Sequence, residues 1–552
     1  MLPRRLAISC FKRLIYRKPS HFLEIFQETS SKRFLNFNTA LKQQEESLVT
    51  FRKDLTSDEL GEVEEDEVTV TSAVPDPKVS SWVWEEGQPL IVHSPIADLE
   101  IPEAHFSQTV WSSVWTSQTS CYRAALVNGE SGRTYSYKEC ERLSKNFASS
   151  LIKFGAEPGD VLALILPNTP EFVFVFTGGP LAGVVVTTIS PNFTHFEITQ
   201  QLRNSGATWV VTDLDRYETV NTAIHNLENV SESSPDDEYQ AVRNEALKLV
   251  LTSDSEQTDL PTGVISLALM LADDGTKCPD NPHFDYNEDV VVIPYSSGTT
   301  GPPKVSCVLV VLRGEIIVCV QGVQLTHRNM VSNMYQISCP QMGLIKTATR
   351  DEREVTLCVL PMYHVFAMNV TMTNVMMAGG KMVTLSSFNP LTFLNALITY
   401  KPTFLHLAPP LLVFLTTHQG VKPHHLESLR YILVGAAPVQ PSLIREFKEK
   451  APHVELREGW GMSELSPAAS FSPEGQSVVG SCGKVIPNTR MKVISVETGE
   501  DIGPGEPGEL LVQGPQVMKG YLGNQKATDE TIKNDWLFSG DLAMWDREGD
   551  LW

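Results

Sequence analysis

Apolar and polar positions alternate along this chain in more than one rhythm, and the changes of rhythm divide it. From Tyr135 to about Asp213, helical spacing alternates with short, continuous apolar runs. Lys138 to Phe154 reads as an amphipathic helix, and Val161-Leu-Ala-Leu-Ile-Leu166 as a buried strand. Pro170 onward reads as a helix, Val184-Val-Val-Thr-Thr-Ile189 as a strand, 195–204 as a helix, and Thr208-Trp-Val-Val211 as a strand. The rhythm returns after residue 350, with strands at Val355 to Leu360, Lys381 to Leu385, Thr403 to Leu407 and Tyr431 to Val434. Strands alternating with helices predict parallel α/β sheets, because parallel neighbours need a crossover and the helices supply it. From Gly480 the texture shifts to short strands with Gly/Pro turns, such as Met491-Lys-Val-Ile494 and Gly508-Glu-Leu-Leu-Val512. The expected organisation is α/β: two parallel-sheet subdomains across 89–479, then a small β-barrel subdomain over 480–552.

Two other stretches stand outside that pattern. The first 23 residues carry Arg4, Arg5, Lys12, Arg13, Arg17 and Lys18 and no acid, with Ile8, Phe11, Leu14 and Ile15 on one helical face. Such a start resembles a mitochondrial transit peptide, a disordered basic tail being the plainer alternative. Seven acids then fall within residues 58–67. A run of like charge of that density stays solvated, so 1–88 is placed outside the fold. Residues 228–260, rich in Ser, Asp and Glu, read as a surface excursion.

Composition narrows the function classes. A length of 552 residues implies two to four domains. A net charge of −22 argues against nucleic-acid binding, which needs basic surface. Nine scattered cysteines with no Cys-x-x-Cys pair indicate neither a zinc site nor a disulfide framework, so intracellular, reduced thiols are expected. Glu171 to Ser190 comes nearest to a membrane span. Its Gly178-Gly179-Pro180 centre reads instead as a turn between a buried helix and a strand.

The chemistry concentrates in a few short motifs. Tyr295-Ser-Ser-Gly-Thr-Thr-Gly-Pro-Pro-Lys304 follows the apolar run Asp289-Val-Val-Val-Ile-Pro294. Glycines let backbone amides turn toward an anion, hydroxyls add donors, and lysine adds charge, so the run suits a polyphosphate. A Ser/Gly/Pro turn without a ligand has similar composition. Pro361-Met-Tyr-His-Val-Phe-Ala-Met368 sets His364 among aromatics. Val434-Gly-Ala-Ala-Pro438 ends a strand in small residues. Glu458-Gly-Trp-Gly-Met-Ser-Glu464 offers an aromatic face for a purine and a carboxylate for Mg²⁺. Trp536-Leu-Phe-Ser-Gly-Asp541 ends in an acid suited to ribose hydroxyls.

In this order and spacing the motifs resemble the adenylate-forming superfamily, from about Ile91 to Trp552. Thr134-Tyr-Ser-Tyr137, Gly322-Val-Gln-Leu-Thr-His-Arg-Asn329 and Gly514 to Tyr521 look closest to its 4-coumarate–CoA ligase-like branch. The resemblance implies ATP-dependent activation of a small carboxylic acid to acyl-AMP, then transfer to CoA. It implies phosphate contacts from Ser296, Ser297, Gly298, Thr299, Thr300, Gly301 and Lys304, and Mg²⁺ held by Thr300 and Glu464. Glu458, Gly459, Trp460 and Ser463 would contact the nucleotide, and Asp541 its ribose. His364 would sit beside the developing charge, with Phe366, Gly435, Ala436 and Ala437 lining the acyl pocket. A non-catalytic nucleotide- or acyl-binding protein and a luciferase-like oxygenase are the alternatives.

The chain departs from the family pattern in several places. Val305 to Gln321, 17 residues, separates Lys304 from Gly322-Val-Gln-Leu-Thr-His. The segment is a whole number of codons, a valine codon begins GT and glutamine can be CAG, so it fits a short retained intron. Translated, it would form a hairpin, Ser306 to Leu312 and Glu315 to Val320, turning at Arg313-Gly314, draw Lys304 from its anchoring strand and loosen the phosphate cradle. The sequence stops at Trp552, before the hinge and lysine-bearing C-terminal domain that the family places there, which implies nucleotide binding with poor turnover. Glu458 and Ser387 stand where the family more often has glutamine and a basic CoA contact.

Overall fold

Two nine-stranded mixed sheets and one six-stranded antiparallel sheet carry the fold in a computed structural model that describes residues 87, 90–112, 120–230, 247–252, 260–296, 309–312, 315–318 and 321–552. The basic start and the acidic run, both within 1–88, lie outside the described residues, which include only Gly87 of that stretch.

The first sheet has its parallel core in the order Val290–Ile293, Val185–Thr188, Val161–Ile165, Trp209–Asp213, Lys248–Thr252, Ile265–Ser266. Gln321–Thr326 runs antiparallel beside Val290–Ile293 and takes Tyr295–Ser296 and Gly520–Tyr521 as further partners. The second sheet has the parallel core Ala124–Asn128, Lys381–Thr384, Val355–Cys358, Phe404–Leu407, Tyr431–Val434, Glu455–Gly461. Thr134–Ser136, Ala468–Phe471 and Lys484–Val485 extend it antiparallel. Continuous apolar runs suit such strands, because both faces are covered. Val161–Ile165 is buried from its second residue on, and Tyr431–Val434 throughout.

The helices begin where local chemistry dictates. Ser136 caps Tyr137–Lys153 with Glu139 answering from the third position, and Thr194 caps His195–Ser205 with Glu197. Thr326 caps His327–Ile337, and Asn329 completes that box. The Asn329 amide also donates to the carbonyls of Val517 (2.6 Å) and Pro515 (3.0 Å). Two motifs far apart in the chain, 322–329 and 514–521, are thus bonded to each other.

The structure revises several expectations. The helix Pro170–Leu181 runs through Gly178-Gly179-Pro180, and the chain turns only at Gly183, whose φ is +75°. The glycines serve close packing rather than a turn. A Cβ on Gly178 would lie 2.7 Å from the Ser144 carbonyl oxygen, and one on Gly179 would lie 2.9 Å from Val186 Cγ2. Within 228–260, Lys248–Thr252 is a sheet strand with a buried centre, its three apolar residues too few to register against the polar sequence around them. The C-terminal β unit is an open sheet rather than a closed barrel: its order runs Val92–His93, Arg490–Ile494, Gly508–Gln513, Trp536–Ala543, Ile532–Lys533, with Asp501–Ile502 beside Arg490–Ile494. Both edge strands are two residues long, too short to bridge to one another.

The extra segment pairs largely as its sequence suggests. Leu309–Leu312 and Glu315–Val318 form an antiparallel ribbon with Leu312 opposite Glu315, and among the described residues they pair only with each other. Before and after this excursion the chain is held in register, Tyr295 opposite Gly322 and Ser296 opposite Gln321.

Candidate active site

The winding of the second sheet reverses beside Val355–Cys358, the place where a sheet of this kind leaves a crevice. From Val355–Cys358 the chain passes to Lys381–Thr384 on one side and then to Phe404–Leu407 on the other. Open α/β sheets present ligand space beyond the carboxyl ends of strands at such a reversal. His364 and Phe366 follow the first of these strands, Gly435 follows Tyr431–Val434, and Trp460 lies near the end of Glu455–Gly461.

The loop carrying His364 is anchored from the first sheet. Asn168 donates to the carbonyls of Cys358 (3.1 Å) and Leu360 (2.8 Å), and its own carbonyl accepts the Met362 N–H at 2.8 Å. Thr188 donates to the Tyr363 carbonyl at 2.8 Å. The His364 ring packs against Tyr363, centroids 4.6 Å apart. Its surface is exposed, yet desolvation pulls its pKa below the ordinary histidine value. Both hold for a ring in a recess, crowded by protein but open on one edge.

Phe366 begins a π-helical segment, Phe366–Thr373. Wide turns of this kind offset backbone partners, and side chains here make up the difference. The Asn369 carbonyl accepts from the Asn374 amide (2.6 Å) and the Thr373 hydroxyl (2.9 Å). The Asn369 amide donates to the Ser466 carbonyl at 2.5 Å, which joins this segment to the Glu464 loop.

Phe366, Gly435 and Gly459 form one wall. A Cβ on Gly435 would meet Phe366 Cε1 at 3.2 Å and the Gly459 carbonyl oxygen at 3.6 Å, so the ring packs closely on the Gly435 backbone and a side chain there would press on it. Behind it, His406 stacks on Phe366, centroids 6.1 Å apart, and meets the Thr371 hydroxyl at 2.9 Å. Burial, with Arg457 nearby, lowers the His406 pKa to about 3, so that ring is neutral. Ala436 holds a left-handed φ of +71°, and Ala436 and Ala437 are exposed beyond the wall.

Trp460 continues the same strand. Its indole Nε1–H donates to Asp541 Oδ2 at 3.1 Å. Gly461 must be glycine, since a Cβ there would lie 2.1 Å from the Pro467 carbonyl oxygen. Asp541 is aimed by a bulge: Glu509 faces Leu542 and Leu511 faces Phe538, which leaves three residues opposite Leu510. Gly540 supplies the positive φ, +72°, and its N–H donates to Glu509 Oε1 at 3.2 Å.

Glu464 is buried in the short helix Ser463–Leu465, with half-buried Ser463 beside it. The Tyr521 hydroxyl donates to Glu464 Oε1 at 2.8 Å. Among the described residues no group of three or more His, Cys, Asp and Glu could hold a metal ion. Magnesium needs few protein ligands when substrate phosphates supply the rest, so the single acid Glu464 fits that chemistry.

His364, Phe366, Gly435, Gly459, Trp460, Ser463 and Glu464 thus lie at or just beyond the carboxyl ends of three strands of the second sheet, and Asp541 is bonded to them through Trp460. Glu458 is turned elsewhere: its Oε1 accepts the Gly480 N–H at 3.1 Å. Burial raises its pKa, against the N–H groups of Gly480 and Val439. Only the backbone of Ser296 is described, and Ser297, Gly298, Thr299, Thr300, Gly301 and Lys304 lie outside the described residues. Asn168, Asn369 and Tyr521 were not anticipated. Asn168 lies three residues beyond the strand Val161–Ile165, the one local signal; Tyr521 ends a motif already noted, but nothing local names its partner.

A family model described as AMP-binding enzyme matches residues 114–312 and 320–522, and its break falls inside the 305–321 segment. The chain is 30% identical over 470 residues to 4-coumarate–CoA ligase 3 of Arabidopsis thaliana, covering 84% of this chain and 75% of that one. It is 32% identical over 436 residues to 4-coumarate–CoA ligase of Pinus taeda, covering 78% and 73%. Among solved structures, a long-chain-fatty-acid–CoA ligase from Archaeoglobus fulgidus superposes with a TM-score of 0.67 at 21% identity, over 83% of this chain and 84% of that one. ATP-bound MatB from Rhodopseudomonas palustris gives 0.64 at 21%, over 80% and 77%. At such identities the solved structures establish the fold, while the family match and the curated relatives establish kinship. The chain belongs to the AMP-binding enzyme family, the adenylate-forming superfamily, in its 4-coumarate–CoA ligase-like branch of acid–thiol ligases.

Proposed function

We propose that this protein activates a carboxylic acid with ATP and passes the acyl group to CoA. A carboxylate oxygen attacks the α-phosphorus, the bond to the β-phosphate oxygen breaks, and pyrophosphate leaves. The CoA sulfur then attacks the acyl carbon, the bond to the AMP oxygen breaks, and AMP leaves. The observation that carries this reading is the adjacency of Gly459 and Trp460. One closes the Phe366–Gly435 wall, where an acid would lie, and the next presents a ring held to Asp541, where a nucleoside would lie. Chemistry of this kind depends on positioning and charge neutralisation more than on a covalent nucleophile.

His364 stands on the recessed loop beside the wall, and a neutral imidazole there can orient the carboxylate. Mg²⁺, when bound, would neutralise phosphate charge, and Glu464 with Thr300 would hold it. Whether the acid is an aryl or a fatty acid is part of the test. We read the 305–321 insert as an impairment, because it lengthens the loop that carries the phosphate-binding hydroxyls and Lys304. Incubation with ATP, Mg²⁺ and single acids from an aryl and medium-chain panel, without CoA, should accumulate an acyl-adenylate detectable by mass spectrometry. No adduct with any acid, from the 552-residue chain or from a 305–321 deletion, contradicts the proposal.

A further inference from the structure

We infer that Trp460 couples recognition of the base to recognition of the sugar, through the hydrogen bond that its indole donates to Asp541. The inference rests on the nucleotide reading of the crevice given above. A phenyl or phenol ring can stack on a purine, but neither carries an N–H at the indole position. Here that N–H is committed to Asp541 Oδ2 at 3.1 Å.

The bond has two consequences. It fixes the plane of the indole, because a ring stacked on a base and also tethered at Nε1 cannot rotate freely. It also occupies one carboxylate oxygen, so that the other is presented for a ribose hydroxyl. A carboxylate with one oxygen held is better oriented than one free to rotate, and orientation is what ribose selectivity requires. Both partners sit on backbones that resist adjustment. Gly461 is locked against Pro467, and Asp541 sits on the bulge stabilised by Gly540 and Glu509. The bond also ties the second large sheet to the C-terminal sheet across the crevice. Trp460 is accordingly a positioning residue for Asp541 as well as a stacking surface.

The test is binding rather than turnover. Dissociation constants for ATP, 2′-deoxy-ATP and 3′-deoxy-ATP are measured by equilibrium dialysis for the full chain and for Trp460→Phe, Trp460→Tyr, Asp541→Ala and the double variant Trp460→Phe/Asp541→Ala. A charge-assisted ribose contact should make ATP bind about tenfold more tightly than at least one deoxy analogue in the unsubstituted chain. Trp460→Phe and Trp460→Tyr should each cut that preference at least threefold, and adding Trp460→Phe to Asp541→Ala should change it no further. Because a ratio is read, a loss of folded protein common to all ligands cancels. Unchanged ratios in both Trp460 variants would overturn the coupling while leaving the nucleotide site standing. Absence of binding to all three nucleotides by the unsubstituted chain would overturn the nucleotide reading and the coupling with it.

Discussion

The Tyr521 hydroxyl donates to the Glu464 carboxylate over 2.8 Å, and Tyr521 is itself paired, backbone to backbone, opposite Val323. The acid expected to serve Mg²⁺ is thereby tied to the strand Gln321–Thr326, which emerges from the inserted segment. Burial, together with the Glu464 charge, drives the Tyr521 pKa far upward, so the hydroxyl remains a donor throughout the working range. Tyr521→Phe removes the donor and leaves a buried carboxylate short of a partner. We expect a loss of about 1–3 kcal/mol in urea denaturation and a higher Mg²⁺ concentration for half-maximal ATP binding. An unchanged denaturation midpoint would show that the bond contributes nothing.

The inserted segment should be dispensable for folding. Between the paired residues Ser296 and Gln321 lie 24 residues. Joining Lys304 to Gly322 shortens the loop to about a third, which favours closure by about 1 kcal/mol. The deletion variant should melt at the same or a slightly higher temperature and bind ATP more tightly. A collapse of stability on deletion would mean that the ribbon 309–318 has become part of the core. Mass spectrometry of the native protein bears on its origin: a peptide joining Lys304 directly to Gly322 supports a retained intron, whereas abundant peptides from within 305–321 show it is translated.

Asn168 holds three backbone groups of the His364 loop at once. Asn168→Ala leaves those groups buried without it, and should cost about 2–4 kcal/mol. Adenylate formation should fall with it, since the loop loses its tether to the first sheet. Thr188→Val, which removes the single bond to Tyr363, should show the same effect at smaller size.

Acid should destabilise the fold through three buried histidines. Burial lowers the pKa of His105 to about 4, of His327 to about 3, and of His406 to about 3, with His105 adding to the effect on His327 and Arg457 to that on His406. The unfolded chain takes up these protons near pH 6.5 and the folded chain does not. The stability they carry is full above pH 6.5 and is lost as pH falls toward 4, by about 1.4 kcal/mol per histidine per pH unit. Asp213 and Asp550, whose pKa values burial raises, act in the opposite sense at the acid end. His406→Gln should flatten the slope of unfolding free energy against pH between 6.5 and 4.5 by one histidine's share. An identical slope in the variant would contradict that assignment.

Local order carried much of this reading, and distance set its limits. Apolar runs such as Tyr431–Val434 named the strands of both sheets, because a doubly covered strand has no polar face to confuse it. Periodicity failed where glycine had two meanings: Gly178 and Gly179 read as a turn, and only the neighbouring Ser144 and Val186 reveal them as contact points. In the crevice, His364, Phe366, Gly435, Trp460, Glu464 and Asp541 were legible as motif residues. Their supports were not, since Asn168 acts 190 residues or more along the chain from its partners and Tyr521 acts 57 residues from Glu464. Glu458 shows the converse, a motif residue whose carboxylate serves the turn at Gly480.

Acid-dependent pyrophosphate release by the 305–321 deletion variant tests the central claim most directly, with ATP, Mg²⁺ and a panel of aryl and medium-chain carboxylic acids. Release above the acid-free background with at least one acid, reduced about tenfold by Asp541→Ala when ATP is limiting, is the predicted result. Release with no acid in the panel, or release indifferent to Asp541, would contradict the account.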